Sequence, residues 1–274
     1  MERDHFWHIL KTDFGYVSPK KRYFWAENRP VWATFLFYIR LVKQVYTTSR
    51  TAARVGLNRK TWADSSFDIL KIVESVGGKF QVSGLKGVTE KKQPLVYIAN
   101  HMSMIDPLIM PCLGLAFSDL AFVVKESLLT YPLFGAITKA THPIAVSRRN
   151  PREDLKRVFN MGQNLLSRGS SIVIFPQATR SAVFDAASFN SLGIKLARKA
   201  GVPVVPIALK TDFQGNGRII KEMGPVDPRK TLYFKFGSPI VVEGNGQSTH
   251  QAVVRFIAGN LKSWGGEVKG LPEP

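Results

Sequence analysis

Residues 95–107 read LVYIANHMSMIDP, and in them a histidine and an aspartate stand five positions apart where an apolar run turns polar. An imidazole with one ring nitrogen held by a carboxylate has its tautomer fixed and its protonated form stabilised, which is what a general base needs. His101 and Asp106 are candidates for that pair, with Asn100 and Ser103 beside them. A plainer reading stays open: His101 bonds a loop carbonyl, and Asp106 caps a helix that begins at Pro107.

Two later stretches also carry chemistry. Ser147, Arg148 and Arg149 follow the apolar PIAV, and Pro176, Gln177, Ala178, Thr179, Arg180 and Ser181 follow IVIF. A guanidinium presents a rigid fork of donors that matches two oxygens of a phosphate or carboxylate, and Thr179 adds a hydroxyl. Singly, Arg148 and Arg180 read as surface charges. Their shared placement directly after buried runs makes them candidate anion ligands.

Elements must bring these groups together. From Leu95 onward the apolar runs LVYIAN, LAFVVKE, PIAVSR, SIVIFP, VPVVPIAL and LYFKFGSPIVV alternate with helical patterns such as residues 152–168 and 190–200. Such alternation predicts an α/β fold with a mixed, largely buried sheet flanked by helices. In such sheets polar strand ends gather at one edge.

Ahead of that lies a different region. VWATFLFYIRLVKQVY is interrupted by Arg40 and Lys43 and is too short and too charged to span a bilayer, which takes roughly 20 nearly uncharged residues. Trp32, Phe35, Leu36, Ile39 and Val42 recur at helical spacing, flanked by Lys20, Lys21, Arg22 and Arg29 before and Arg50, Arg54, Arg59 and Lys60 after. That is the pattern of an interfacial helix, apolar towards lipid and basic towards headgroups; packing of the stripe on the protein's own core is the other reading. Residues 64–76 read as a second helix capped by Asp64 or Ser65 and stopped by Gly77-Gly78. The predicted division is an N-terminal helical, membrane-associating appendage over 1–78, an α/β domain over 79–264 and a loosely ordered tail over 265–274.

Composition narrows the partners. Thirty-eight Lys and Arg against 20 Asp and Glu give a net charge of +18, which calls for an anionic partner, lipid surface or nucleic acid. The single cysteine, Cys112, forbids an internal disulfide and suits a reducing compartment, where it fills core. The N-terminal MERDHFWHIL lacks the form of a secretory signal, so the expected location is the cytoplasmic face of a membrane, peripheral or monotopic.

Together, NHMSMID, the segment 143–149, FPQATRS and VPVVPIAL, in this order and spacing, resemble the four blocks of the glycerolipid acyltransferase family typified by 1-acylglycerol-3-phosphate acyltransferase. The resemblance covers about residues 84–209. It implies His101 as general base for an acceptor hydroxyl, Asp106 as its orienter, and Arg148, Thr179 and Arg180 as ligands of the acceptor phosphate. It also implies a thioester donor, acyl-CoA or acyl carrier protein, a lysophospholipid acceptor, and no cofactor or metal. The family's third block is usually F-P-E-G-T-R-S; here Gln177 replaces Glu and Ala178 replaces Gly, and Phe189-Asn190-Ser191-Leu192 stands where the family often has Phe-Lys-x-Gly. These departures bear on acceptor choice, so a different lipid acceptor is a second expectation.

Two rivals from other classes are weaker. A nucleic-acid-binding protein fits the charge, but the basic residues are spread and no recognised binding motif is present. A serine hydrolase using Ser103 or Ser181 lacks a Gly-x-Ser-x-Gly elbow. Zinc is disfavoured because His101 and Asp106 lack a third clustered ligand.

Overall fold

The computed structural model describes residues 1–19, 24–177, 179–215, 217 and 223–271. The first half of the chain, among these residues, runs α1 (Arg3–Thr12), β1 (Tyr16–Val17), α2 (Phe24–Asn28), α3 (Pro30–Val55), α4 (Arg59–Ser75), β2 (Lys79–Ser83), α5 (Lys86–Thr89), β3 (Val96–Ala99), α6 (Ile105–Gly114) and β4 (Leu120–Lys125). A 3-10 turn (Glu126–Thr130) leads to α7 (Phe134–Ala140), β5 (Ile144–Val146), α8 (Pro151–Ser167), β6 (Ser171–Ile174), β7 (Val183–Asp185), α9 (Leu192–Ala200), β8 (Val204–Lys210), β9 (Thr231–Phe236), α10 (Gln247–Ser263) and β10 (Glu267–Lys269).

Eight strands form a mixed sheet in the order β1-β2-β9-β8-β3-β6-β4-β5. Strands β8, β3, β6, β4 and β5 are mutually parallel, so their carboxyl ends share one edge, while β9 returns antiparallel to β8. Every residue of β3 and β6 is buried, as expected of strands covered on both faces. Alternation sorts their side chains into two cores. Tyr97, Val173 and Val205 pack with Phe6, Phe37, Phe67 and Ile109, and Val96, Ile98 and Ile172 with Val158, Ile194 and Val253. Helices α1, α3, α4 and α6 thus cover one face and α8, α9 and α10 the other. Residues before 79 share the first core, and β1 pairs with β2 inside the main sheet.

Three details correct the sequence expectations. Helix α4 begins at Arg59 rather than near Asp64, because Asn58 and Thr61 form a reciprocal capping box at 2.9 and 3.0 Å. Asp64 lies one turn in and pairs with Lys60 and Arg3 instead. The tail expected to be loosely ordered contains β10, which runs parallel to β7 and is tied by Ala186 N–H to the Lys269 carbonyl at 3.0 Å and by the Lys269–Asp185 ion pair at 3.3 Å. Residues 272–274 lie outside the described set.

Helix α3 has 26 residues, about 39 Å at 1.5 Å per residue. None of the described helices is long and apolar enough to cross a membrane. Ala33, Phe37, Leu41 and Val45 bury its inner side. The neighbouring side exposes Trp32 (58%), Phe35 (55%) and Ile39 (49%), with Val42 and Tyr46 continuing the stripe, whereas Leu36 is half-buried against the core. The helix therefore presents two apolar faces, one used internally and one not. Of the flanking bases, Lys20, Lys21 and Arg22 lie outside the described residues, and Arg59 donates to the Leu115 carbonyl at the end of α6 at 2.9 and 2.6 Å. Cys112 is fully buried, and desolvation pushes its thiol up to about 12, consistent with core filling.

Candidate active site

The site starts where β3 ends. Asn100 is buried between β3 and β8; its amide donates to the Leu209 carbonyl and its carbonyl accepts from Leu209 N–H, both at 2.8 Å. This pair of hydrogen bonds between side chain and backbone holds two parallel strands together where their ladder runs out. His101 is then gripped from β6's loop: its N–H donates to Gln177 Oε1 at 2.7 Å, and its carbonyl accepts from Ser181 N–H at 3.0 Å. Its ring stacks on Phe175 at 4.5 Å between centroids and 26° between planes.

His101 Nδ1 lies 2.8 Å from Asp106 Oδ2, and the Asp106 side chain is completely buried. Asp106 is not the helix cap expected from Pro107. Helix α6 begins two residues earlier, at Ile105, and the carboxylate reaches back over its own turn. Its Oδ2 also accepts Met102 N–H at 2.7 Å and Ser103 N–H at 3.0 Å, and its Oδ1 accepts the Thr211 hydroxyl. A carboxylate accepts only, so Nδ1 carries the proton and the lone pair is left on Nε2. The ring is a base held in one tautomer and one plane.

The other predicted residues take different places. Gln177 is buried and spends its carbonyl oxygen on His101, a bond that a Glu carboxylate would also accept; the amide adds donors that a carboxylate lacks. Asn190, at one of the family departures, donates to the Pro176 carbonyl and braces the same loop. Ala178 lies outside the described residues. Thr179 is exposed and Arg180 half-exposed, on the loop of the strand next to β3. Ser103 is buried, its hydroxyl 2.9 Å from Thr211 Oγ1, an arrangement unlike that of an exposed nucleophile.

Arg148 follows β5, three strands from β3 and thus about 14 Å along the edge at the usual strand spacing. It is exposed and holds φ at 60°, in the left-handed region. Asp154, in the first turn of α8, makes that turn possible: its carboxylate accepts Ser147 N–H and Arg148 N–H at 2.7 Å each. Desolvation of Asp154 opposes its ionisation, but the hydrogen bonds from Ser147 and Arg148 and the nearby Arg157 charge together outweigh it and hold the carboxyl below its usual range.

Sequence reading passed over Asp154 and Thr211. Thr211 had a usable signal, since it follows the apolar strand VVPIALK as Asn100 follows VYIA. Among the described residues there is no cluster of three or more His, Cys, Asp or Glu suited to a metal ion.

This fold and edge belong to the acyltransferase class, and the family model described as Acyltransferase matches residues 79–210. The 1-acyl-sn-glycerol-3-phosphate acyltransferase of Pseudomonas aeruginosa is 30% identical over 216 residues, 79% of this chain and 77% of that protein. Chloroplastic LPAT1 of Arabidopsis thaliana, a 1-acyl-sn-glycerol-3-phosphate acyltransferase, is 32% identical over 145 residues, 52% of this chain but 38% of the relative. The crystal structure of the 1-acyl-sn-glycerophosphate (LPA) acyltransferase PlsC from Thermotoga maritima shares the fold, with a TM-score of 0.60 at 17% identity over 87% of this chain and 97% of that one. The chain belongs to the 1-acyl-sn-glycerol-3-phosphate acyltransferase family.

Proposed function

We propose that this chain moves a fatty acyl group from acyl-CoA or acyl carrier protein to the free hydroxyl of 1-acylglycerol-3-phosphate, giving phosphatidic acid, at the cytoplasmic face of a membrane. The observation that carries it is the His101 ring bound to a buried, donor-saturated Asp106 at the carboxyl edge of the sheet. His101 Nε2 takes the proton of the acceptor hydroxyl as its oxygen attacks the thioester carbonyl. The tetrahedral intermediate collapses, the C–S bond breaks, and the imidazolium returns its proton to the departing thiolate. No covalent acyl-enzyme is required.

Arg148, Thr179 and Arg180 bind the acceptor phosphate and so aim the hydroxyl. Replacing Arg148 by Ala is expected to raise the acceptor KM about tenfold or more, the worth of one charge-assisted bond, and to leave the donor KM nearly unchanged. Initial rates against each substrate measure this; equal effects on both would remove Arg148 from the acceptor site. Gln177 supports a second reading, a different lysolipid acceptor, because it offers amide donors where the family's usual Glu offers none. A panel of lysolipids with labelled acyl-CoA tests both readings, with preference for lysophosphatidic acid supporting the first.

The anionic partner in this reading is a lipid surface. Phe35, Ile39, Val42 and Tyr46 of α3 line an apolar groove of about 540 Å³ with the exposed Leu133, Trp32 extends the stripe beyond it, and Arg40, Lys43, Arg50 and Arg54 stand exposed on the same helix. Replacing both Trp32 and Phe35 by Ser is expected to lower partition onto anionic liposomes about a hundredfold or more, since each aromatic contributes roughly 1.5–3 kcal/mol when buried. Sedimentation reads this out. Undiminished pelleting would move the membrane face elsewhere, and a mobility shift with RNA or DNA without pelleting would favour the nucleic-acid rival.

A further inference from the structure

We infer that Thr211, at the end of β8, is a positioning residue of the dyad, acting through Asp106 to hold His101 in its reactive tautomer and plane. The inference rests on the acyl-transfer reading above and adds a third element to it.

Thr211 is fully buried, and its hydroxyl donates to Asp106 Oδ1. Proton accounting leaves little freedom there. The ionised carboxylate only accepts, so the Thr211 proton points at it. Ser103 Oγ, 2.9 Å from Thr211 Oγ1, must then be the donor in that contact, and it accepts from Ile105 N–H at 3.2 Å. A one-way relay runs from Ile105 N–H through Ser103 and Thr211 into Asp106 Oδ1. The other oxygen, Oδ2, already receives Met102 N–H, Ser103 N–H and the ring. Ser103 Oγ stands 3.4 Å from Oδ1, so Thr211 makes the close contact on that oxygen. Its own backbone N–H is engaged by Met102 Sδ at 3.3 Å, which fixes the strand end against the turn that carries His101.

The carboxylate is therefore clamped between two elements: α6's own turn on one side and the residue that directly follows strand β8 on the other. Without the Thr211 hydroxyl, Asp106 keeps the donors on Oδ2 but only the 3.4 Å contact from Ser103 on Oδ1, so the carboxylate plane that sets the His101 ring is held from one side alone. The ionisable and charged groups near this point include His101, Asp106, Arg180 on the loop that bonds the His101 carbonyl, Lys210, Asp212 and Lys230; the last three are tied together, with both lysines 2.9 Å from Asp212.

The test compares Thr211→Val, which keeps shape and removes the hydroxyl, with Thr211→Ser, which keeps the hydroxyl, in the full chain. Thr211→Val is expected to lower kcat about ten- to a hundredfold, the worth of a hydrogen bond to a charged group, with both KM values within about twofold. The acid limb of its pH–rate profile is expected to move to higher pH by about half a unit or more. Removing the positive end of the O–H dipole leaves the dyad at a more negative potential, and its proton is then harder to remove. Thr211→Ser is expected to restore both, and thermal melting confirms that each variant is folded. Wild-type kcat in Thr211→Val, a loss in Thr211→Ser as deep as in Thr211→Val, or a change confined to KM would overturn the inference. His101→Ala separates the two levels: turnover retained there sinks the dyad reading itself, whereas turnover lost there but kept in Thr211→Val sinks only the role of Thr211.

Discussion

His101→Ala is expected to lower kcat by about 10³-fold while the protein stays folded and still pellets with anionic liposomes. The backbone bonds of residue 101 to Gln177 and from Ser181 survive the change, since neither uses the ring. Asp106 also keeps its donors from Met102, Ser103 and Thr211, so no buried charge is orphaned. What disappears is the lone pair on Nε2 and the face stacked on Phe175. Rates with both substrates, alongside a melting curve, check this, and turnover close to wild type would take the imidazole out of the chemistry.

Asp106 gives the second large effect, and it divides by substitution. Asp106→Asn keeps the shape, and its carbonyl oxygen can occupy the place of Oδ2, so the fold is retained while the charge that stabilises an imidazolium is lost; kcat is expected to fall about 10²-fold or more. Asp106→Ala leaves the Met102 and Ser103 N–H groups and the Thr211 hydroxyl without their acceptor in a fully buried place. Each such orphan costs about 1–3 kcal/mol, so a loss of about 3 kcal/mol or more in unfolding free energy is expected. Denaturant titration of the pair reads this difference; an alanine variant as stable as the asparagine one would mean that water or a rearranged turn replaces the carboxylate.

Much of this arrangement was legible before any coordinates. VYIA, SIVI and VVPIAL announce buried strands because strands covered on both faces need unbroken apolar runs, and the polar residues after two of them mark the working edge. The His101–Asp106 pairing was legible because it is local, five residues around one bend. Thr211 was not read: its place just after an apolar strand marked it as an edge residue, but its contact with Asp106 spans 105 residues of chain and was not visible in the sequence. Asp154 was missed for a different reason: an acidic residue in a first helical turn is ordinary, and only the left-handed backbone at Arg148 shows what its carboxylate holds. The division of α3 into a buried and an exposed apolar face was half visible. Periodicity gives the stripes but not which one finds a partner.

The position of β3 in the sheet bears on how the protein is made. Its two neighbours, β6 and β8, are both translated after it, and β2 waits for β9, more than half the chain further on. On the ribosome the strand that ends in His101 therefore emerges as an apolar segment with neither edge covered. Strand β6 can cover one edge once residue 174 has been added, and the other edge stays open to wrong partners until β8 is complete at residue 210. Premature termination between these two points yields a chain with every residue of the dyad turn and strand β6 beside it, but without the Leu209 and Thr211 contacts that hold Asn100 and Asp106, a substrate for chaperones and proteases rather than a partly active enzyme.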